Sequence, residues 1–219
     1  MDKRTLSFWP GGLVIDRAGM GETEVHVVPE ALLWCISFHR WHKPTTWERW
    51  FQGEPSDLDG IGEWSTKIGD WLRPVQPDWM GWAPPFLLML WMNEEREALA
   101  LRLAYRWLRI NHEAPPSPEA SRVLRVGASA AVNYVIFGPE GRVLDVVGPG
   151  RNRVQVLAER ASYEGVWIDR DYYDLIYQTL PGRSFPPVRV PLNRESIPMF
   201  KLEWGLPGRY LLQPPDSFE

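Results

Sequence analysis

The sequence has a single cysteine, Cys35, among 219 residues. One thiol cannot form an intrachain disulfide, so a disulfide-stapled secreted design is excluded. The N-terminal segment also lacks an apolar stretch of signal-peptide length, because Pro10, Gly11 and Gly12 interrupt it. These two absences predict a cytoplasmic protein.

Long apolar runs are also missing. The longest, at residues 83–92, is roughly half of the ~20 residues that a helix needs to cross a bilayer. We therefore expect no membrane span. We interpret the run as the start of a buried helix that extends from residue 86 to residue 111 and is interrupted near Asn93.

An excess of positive charge is lacking as well. The net charge is -4 and the isoelectric point is about 5.7, so the overall field would not draw the chain onto nucleic acid or an anionic membrane. The glycines at residues 137–150 are typical of hairpin turns, and no lysine with serine or threonine follows them as in a phosphate loop. We expect no nucleic-acid partner and no cofactor.

The hydrophobic pattern predicts an α+β fold. After a small β-meander, residues 31–41 are apolar almost all round and predict a buried helix, and residues 61–72 have the spacing of an amphipathic helix. The N-terminal half is therefore expected to be helical and rich in tryptophan. The prolines of residues 113–121 predict a linker.

The pattern beyond that linker predicts an antiparallel or mixed β-sheet with one short helix. Residues 132–137 and 142–147 flank a glycine-rich turn at hairpin spacing, and residues 153–157 predict a further strand. Asp171 is placed to cap the short helix. We expect regions at 1–114 and 115–219, either as two domains or as one continuous domain.

Tryptophan is unusually abundant, with 13 residues in the chain. Trp34, Trp64, Trp71, Trp91 and Trp107 follow helical periods and predict core positions. Trp79 and Trp82 follow no such period and lie in a predicted loop, so they either cover the core or meet a ligand.

A partner-binding surface is expected in the N-terminal half, where the acidic residues outnumber the basic ones. Tryptophan is a favoured anchor at protein interfaces, and arginines on one helical face can surround such anchors. The residues that we predict for this surface are Trp47, Trp50, Trp79, Trp82, Arg102, Arg106 and Arg109.

Asp169, Asp171 and Asp174 form an acidic cluster at a strand-to-helix junction. Paired carboxylates there could hold Mg²⁺ or act as acid and base, but acidic residues at a helix start are more often structural. His39 and His42 are weak metal candidates, because a zinc pair on a helix is normally four residues apart. We predict no metal site.

These observations favour a non-enzymatic, intracellular protein-interaction protein: an inhibitor, a neutralising partner or an assembly adaptor that recognises another protein through its aromatic, acidic surface. The alternative is a metal-dependent hydrolase or phosphate-ester enzyme that uses the three aspartates. A third possibility is a module that binds a carbohydrate or a base by stacking on Trp79 and Trp82.

Overall fold

The computed structural model describes residues 13–17, 21–29, 31–38, 57–83, 85–92, 95–117, 124–161, 165–176, 188–192 and 195–202. Within these ranges the chain forms four helices and two sheets, which confirms the α+β class.

The first half of the chain contributes strands β1 (Leu13–Arg17), β2 (Gly21–Val28) and β3 (Ala31–Phe38), helix α1 (Asp57–Leu72), strands β4 (Trp79–Ala83) and β5 (Phe86–Met92), and helix α2 (Arg96–Glu113). The second half contributes strands β6 (Leu124–Ser129), β7 (Asn133–Phe137) and β8 (Val143–Val147), helix α3 (Pro149–Arg160), strand β9 (Val166–Asp169), helix α4 (Arg170–Ile176), and strands β10 (Val188–Leu192) and β11 (Glu195–Leu202).

The strands form a large and a small sheet. The large sheet has seven strands in the order β10-β11-β9-β6-β3-β5-β4, and the small sheet has four in the order β1-β2-β7-β8. All neighbours are antiparallel except β6 and β9. Each sheet contains strands that precede residue 114 in the sequence and strands that follow it. The division of the chain into regions 1–114 and 115–219 stays a prediction.

The helix predicted at residues 31–41 is wrong, because residues 31–38 form strand β3. Every residue of β3 is buried, and an all-apolar run fits a strand covered on both faces as well as it fits a buried helix. For the same reason the predicted helix start at residues 86–92 is strand β5. Residues 153–157, predicted as a strand, belong to helix α3.

Two apolar layers cover the large sheet. On one face, helices α1, α2 and α4 pack against Trp34, Ile36 and their neighbours in β3. On the opposite face, helix α3 and the small sheet pack against Leu33 and Cys35 of the same strand. Among the helices that the structure describes, none is long and apolar enough to cross a membrane.

The helical face holds a cluster of buried tryptophans around Trp71. The Trp71 ring centroid lies 4.9 Å from that of Trp34, 5.2 Å from that of Trp107 and 5.9 Å from that of Trp91. The Trp71 indole N–H donates to the Leu103 carbonyl at 2.9 Å. The core positions predicted for Trp34, Trp64, Trp71, Trp91 and Trp107 are confirmed, since all five are buried.

We predict that Trp71→Phe lowers the free energy of unfolding by about 1–3 kcal/mol, because it leaves a void among packed rings and removes the bond to Leu103. Trp82→Phe is the control: the Trp82 side chain is half exposed, so its replacement should change stability by less than about 0.5 kcal/mol. Urea unfolding measures both variants. Equal losses would contradict the central position of Trp71.

Candidate functional site

An open cleft of about 990 Å³ lies between β4 and the β7–β8 hairpin. This volume is in the range of small-molecule sites, roughly 300–1,000 Å³. The lining residues are Asp78, Trp79, Met80, Gly81, Trp82, Ala83, Leu88, Met92, Gly141, Arg142, Val143, Leu144, Asp145 and Arg151. The cleft thus has an apolar floor from the large sheet and a polar wall from the small sheet and helix α3.

The floor of the cleft includes Trp79, whose ring lies over Gly81. A Cβ atom added to Gly81 would lie 2.3 Å from both Cη2 and Cζ2 of Trp79. The six-membered part of the indole therefore lies directly over the Gly81 backbone. Leu88, the β-ladder partner of Gly81 on the neighbouring strand, is buried beside it.

The rim of the cleft is formed by the turn between β7 and β8. Residues 139–141 form a single 3₁₀ turn in which Glu140 has φ 63° and Gly141 has φ 73°. Two successive left-handed residues reverse the chain sharply, and Arg142 follows them. The Arg142 side chain is exposed at the rim, and no carboxylate among the described residues pairs with it.

Asp145 and Arg151 form an ion pair in the wall of the cleft. Asp145 Oδ1 accepts from the Val146 N–H at 2.8 Å and from Arg151 Nη1 at 2.9 Å. The same Arg151 nitrogen donates to the Val146 carbonyl at 2.7 Å. Arg151 thereby fixes the carboxylate through Oδ1, while 43% of the Asp145 side chain remains exposed.

The cleft therefore offers three kinds of contact within one cavity. Trp79 and Leu88 supply apolar area, the Asp145 carboxylate accepts hydrogen bonds, and Arg142 supplies an exposed guanidinium. Such an arrangement suits a ligand with a flat apolar part, an edge of N–H donors and an anionic group.

Trp79 and Trp82, predicted in a loop, lie on strand β4 at the edge of the large sheet. Their ladder partners are Leu90 and Leu87, which lie on opposite sheet faces because strand side chains alternate. Trp79 packs with the core layer beneath the cleft. Trp82 is also one of the residues that line the cleft, while its ring lies 5.6 Å from the ring of Phe38, a residue of the helical layer.

The three arginines predicted to surround these tryptophans lie on helix α2, which covers the other face of the sheet. Arg106 donates to the Asp70 carbonyl at 3.0 Å and Arg109 pairs with Glu113 at 2.7 Å. Burial, followed by the charges of Arg109, Arg102 and Arg73, lowers the pKa of Arg106. Trp47 and Trp50, also predicted for this surface, lie outside the described residues.

Asp169, the first residue of the predicted acidic cluster, is fully buried. Its Oδ1 accepts from the Tyr172 N–H at 2.9 Å and its Oδ2 accepts from the Ser129 hydroxyl at 2.5 Å. Asp169 thus caps helix α4, and the prediction that Asp171 is the cap is wrong. Burial is the main cause that raises the pKa of Asp169.

The other two aspartates form ion pairs at the surface. Asp171 accepts from Arg153 at 2.5 Å, and Asp174 accepts from Arg170 at 2.7 Å. Within the described ranges, no group of three or more His, Cys, Asp or Glu side chains is placed to hold a metal ion. His39 and His42 lie outside those ranges.

The fold is similar to solved structures of nucleotide cyclases. The adenylyl cyclase CyaB from P. aeruginosa matches with a TM-score of 0.57 at 10% identity, over 82% of this chain and 95% of that one. The guanylyl cyclase Cya2 matches with a TM-score of 0.54 at 12% identity, over 87% and 98%. The catalytic core of a rhodopsin-guanylyl cyclase in complex with ATPαS matches with a TM-score of 0.54 at 10% identity, over 81% and 97%.

No family model and no curated protein matches the sequence. The structural likeness, which spans almost the whole of each matched cyclase chain, contradicts the prediction of a protein-interaction protein. That prediction rested on an excess of tryptophans, and the buried cluster around Trp71 accounts for much of this excess.

Sequence reasoning missed Arg142, Asp145 and Arg151 as site residues. The hairpin that carries the first two was predicted, but its turn was interpreted only as a chain reversal. Pro149 gave a usable signal, since proline favours the first position of a helix. A helix starting there places Arg151 in its first turn, facing the end of β8.

We predict that Asp169→Ala lowers the free energy of unfolding by about 2–4 kcal/mol, because it removes a helix cap and leaves the buried Ser129 hydroxyl without its acceptor. Asp171→Ala, which removes a surface ion pair, should cost no more than about 1 kcal/mol. Urea denaturation compares the two. A larger loss for Asp171→Ala would restore Asp171 as the cap.

The raised pKa of Asp169 predicts a dependence of stability on pH. The ordinary pKa of this carboxyl group is 3.8, and its pKa in the folded chain is higher, so the folded chain binds the carboxyl proton more tightly than the unfolded chain does. The free energy of unfolding therefore falls as pH rises from the ordinary pKa through the folded-state pKa. Asp169→Asn cannot titrate. The stability of the natural chain relative to Asp169→Asn should therefore decrease as pH is raised from about 4, and a difference independent of pH would refute this.

Proposed function

We propose that this chain binds a nucleoside triphosphate in the cleft between β4 and β8. The observation that carries the proposal is the convergence of Trp79, the Asp145–Arg151 pair and the exposed Arg142 on one cavity. Each group matches a different part of a nucleotide.

Arg142 is the group best placed to meet the phosphates. Its guanidinium offers a planar fork of N–H donors that suits phosphate oxygens bidentately. Because its side chain is exposed and carries no ion pair to the described carboxylates, it need not give up an existing partner when an anion binds. Its place on a tight turn holds its backbone at the rim.

Asp145 is the group best placed to recognise a base. Arg151 and the Val146 N–H occupy Oδ1, so Oδ2 can accept from an amino group on the edge of adenine, guanine or cytosine. A carboxylate would repel phosphate, which favours a ligand orientation with the base at Asp145 and the phosphates at Arg142. The charges in the cleft thus distinguish the two ends of the ligand.

The structural neighbours support the same ligand class. All three are nucleotide cyclases, and one of them is in complex with the ATP analogue ATPαS. We extend only nucleotide binding to this chain, since its own cleft residues argue for that step. A cytoplasmic location, which we also propose, fits this ligand and the buried, free Cys35 thiol.

We expect ATPαS or its guanine counterpart to bind the purified chain in isothermal titration calorimetry, with and without Mg²⁺. Arg142→Gln should weaken binding about tenfold, because it removes a charge-assisted contact to phosphate. Arg73→Gln is the matched control, since Arg73 is an exposed arginine of the opposite, helical face. It should bind as the natural chain does.

Absence of binding by the natural chain at millimolar concentrations of both nucleotides would refute the proposal. Equal losses in Arg142→Gln and Arg73→Gln would indicate general attraction of anions and would refute the cleft as the site.

A further inference from the structure

We infer that the Trp79 indole is a stacking subsite for a flat heteroaromatic base, and that Gly81 is the residue that positions it. The inference rests on the proposed nucleotide function and adds the base-binding group of the same cleft. It follows from the close approach of the Trp79 ring to the Gly81 backbone.

Glycine is the only amino acid that fits at position 81 while the Trp79 ring keeps its place. A Cβ atom at position 81 would lie 2.3 Å from two ring carbons of Trp79, and contacts below 3.0 Å essentially never occur for real Cβ atoms. Any other amino acid at position 81 must displace the ring. The glycine therefore sets the orientation of the indole relative to β4.

The Trp79 ring packs over Gly81 on one strand, and Trp79 is also one of the residues that line the cleft. Trp79 is half-buried, packs with the layer that contains Leu88 and Leu90, and lines the cavity. Such a ring is held before any ligand arrives, so little side-chain entropy is lost on binding. A preorganised aromatic face is what base stacking requires.

The polar groups in the cleft select a base over other flat ligands. A sugar could also stack on an indole and donate its hydroxyls to the Asp145 carboxylate, but a neutral sugar offers no anionic group to the Arg142 guanidinium. A nucleotide places its base on Trp79 with an amino edge at Asp145 and its phosphates toward Arg142. Stacking on an aromatic side chain changes affinity by about tenfold per base.

The first test compares Trp79→Leu with Trp79→Phe, using ATPαS and inorganic tripolyphosphate as probes in calorimetry. Trp79→Leu should weaken ATPαS binding about tenfold, whereas Trp79→Phe, which keeps a ring, should weaken it by less than about threefold. Tripolyphosphate has no base, so its affinity should be the same within twofold in all three proteins.

The second test substitutes the positioning residue. Gly81→Ala should weaken ATPαS binding about as much as Trp79→Leu does and leave tripolyphosphate binding unchanged. Gly69→Ala is the control, because an added Cβ there meets nothing within 4 Å. Combining Gly81→Ala with Trp79→Leu should add little further loss, since both changes remove the same platform.

The outcomes separate the two proposals. If the natural chain binds neither nucleotide, the proposed function fails. If it binds ATPαS and Trp79→Leu binds it equally well, the nucleotide function stands and the stacking inference fails. Loss of tripolyphosphate binding in Trp79→Leu, or equal losses of ATPαS affinity in the leucine and phenylalanine variants, would also overturn stacking.

Discussion

Burial of strand β3 on both faces is the constraint on which the rest of the structure depends. Each of its residues is buried, and β5 and β6 satisfy its backbone on either side. A strand so enclosed needs an apolar layer above and below. Helices α1, α2 and α4 supply one layer, and helix α3 with the small sheet supplies the other.

The same constraint explains which elements could be predicted from the sequence. In the β7–β8 hairpin the burial of the β7 side chains alternates, and the turn residues between the two strands mark the reversal of the chain. Helix α1 has an amphipathic period. In β3 and β5 both faces are covered, the period of two disappears, and the sequence pattern no longer separates a strand from a buried helix.

The candidate site was predictable only in part, for a related reason. Trp79 attracted attention because it follows no helical period, and it does line the cleft. The role of Gly81 depends on a ring two residues away that folds back over it, and the role of Asp145 depends on helix α3 placing Arg151 beside it. The contact between Asp145 and Arg151 leaves no local pattern, because it is set by the packing of a helix against a strand. The contact between Trp79 and Gly81 is local, but it follows only once residues 79–83 are recognised as a strand, in which residues i and i+2 share a face.

The cleft exists because the small sheet and helix α3 cover the large sheet incompletely. Buried small-sheet residues contact the layer over β3 and β5, whereas β4, the last strand of the large sheet, carries the half-exposed Trp79 and Gly81. Among the described strands β4 has a hydrogen-bonded neighbour on one side only, and such an edge strand offers backbone groups and apolar side chains to other chains. Here the rim turn approaches β4 across a cavity without filling it. The geometry at this edge also places the half-buried Trp79 across one cavity from the Asp145 carboxylate, which Arg151 holds, and from the exposed Arg142 guanidinium.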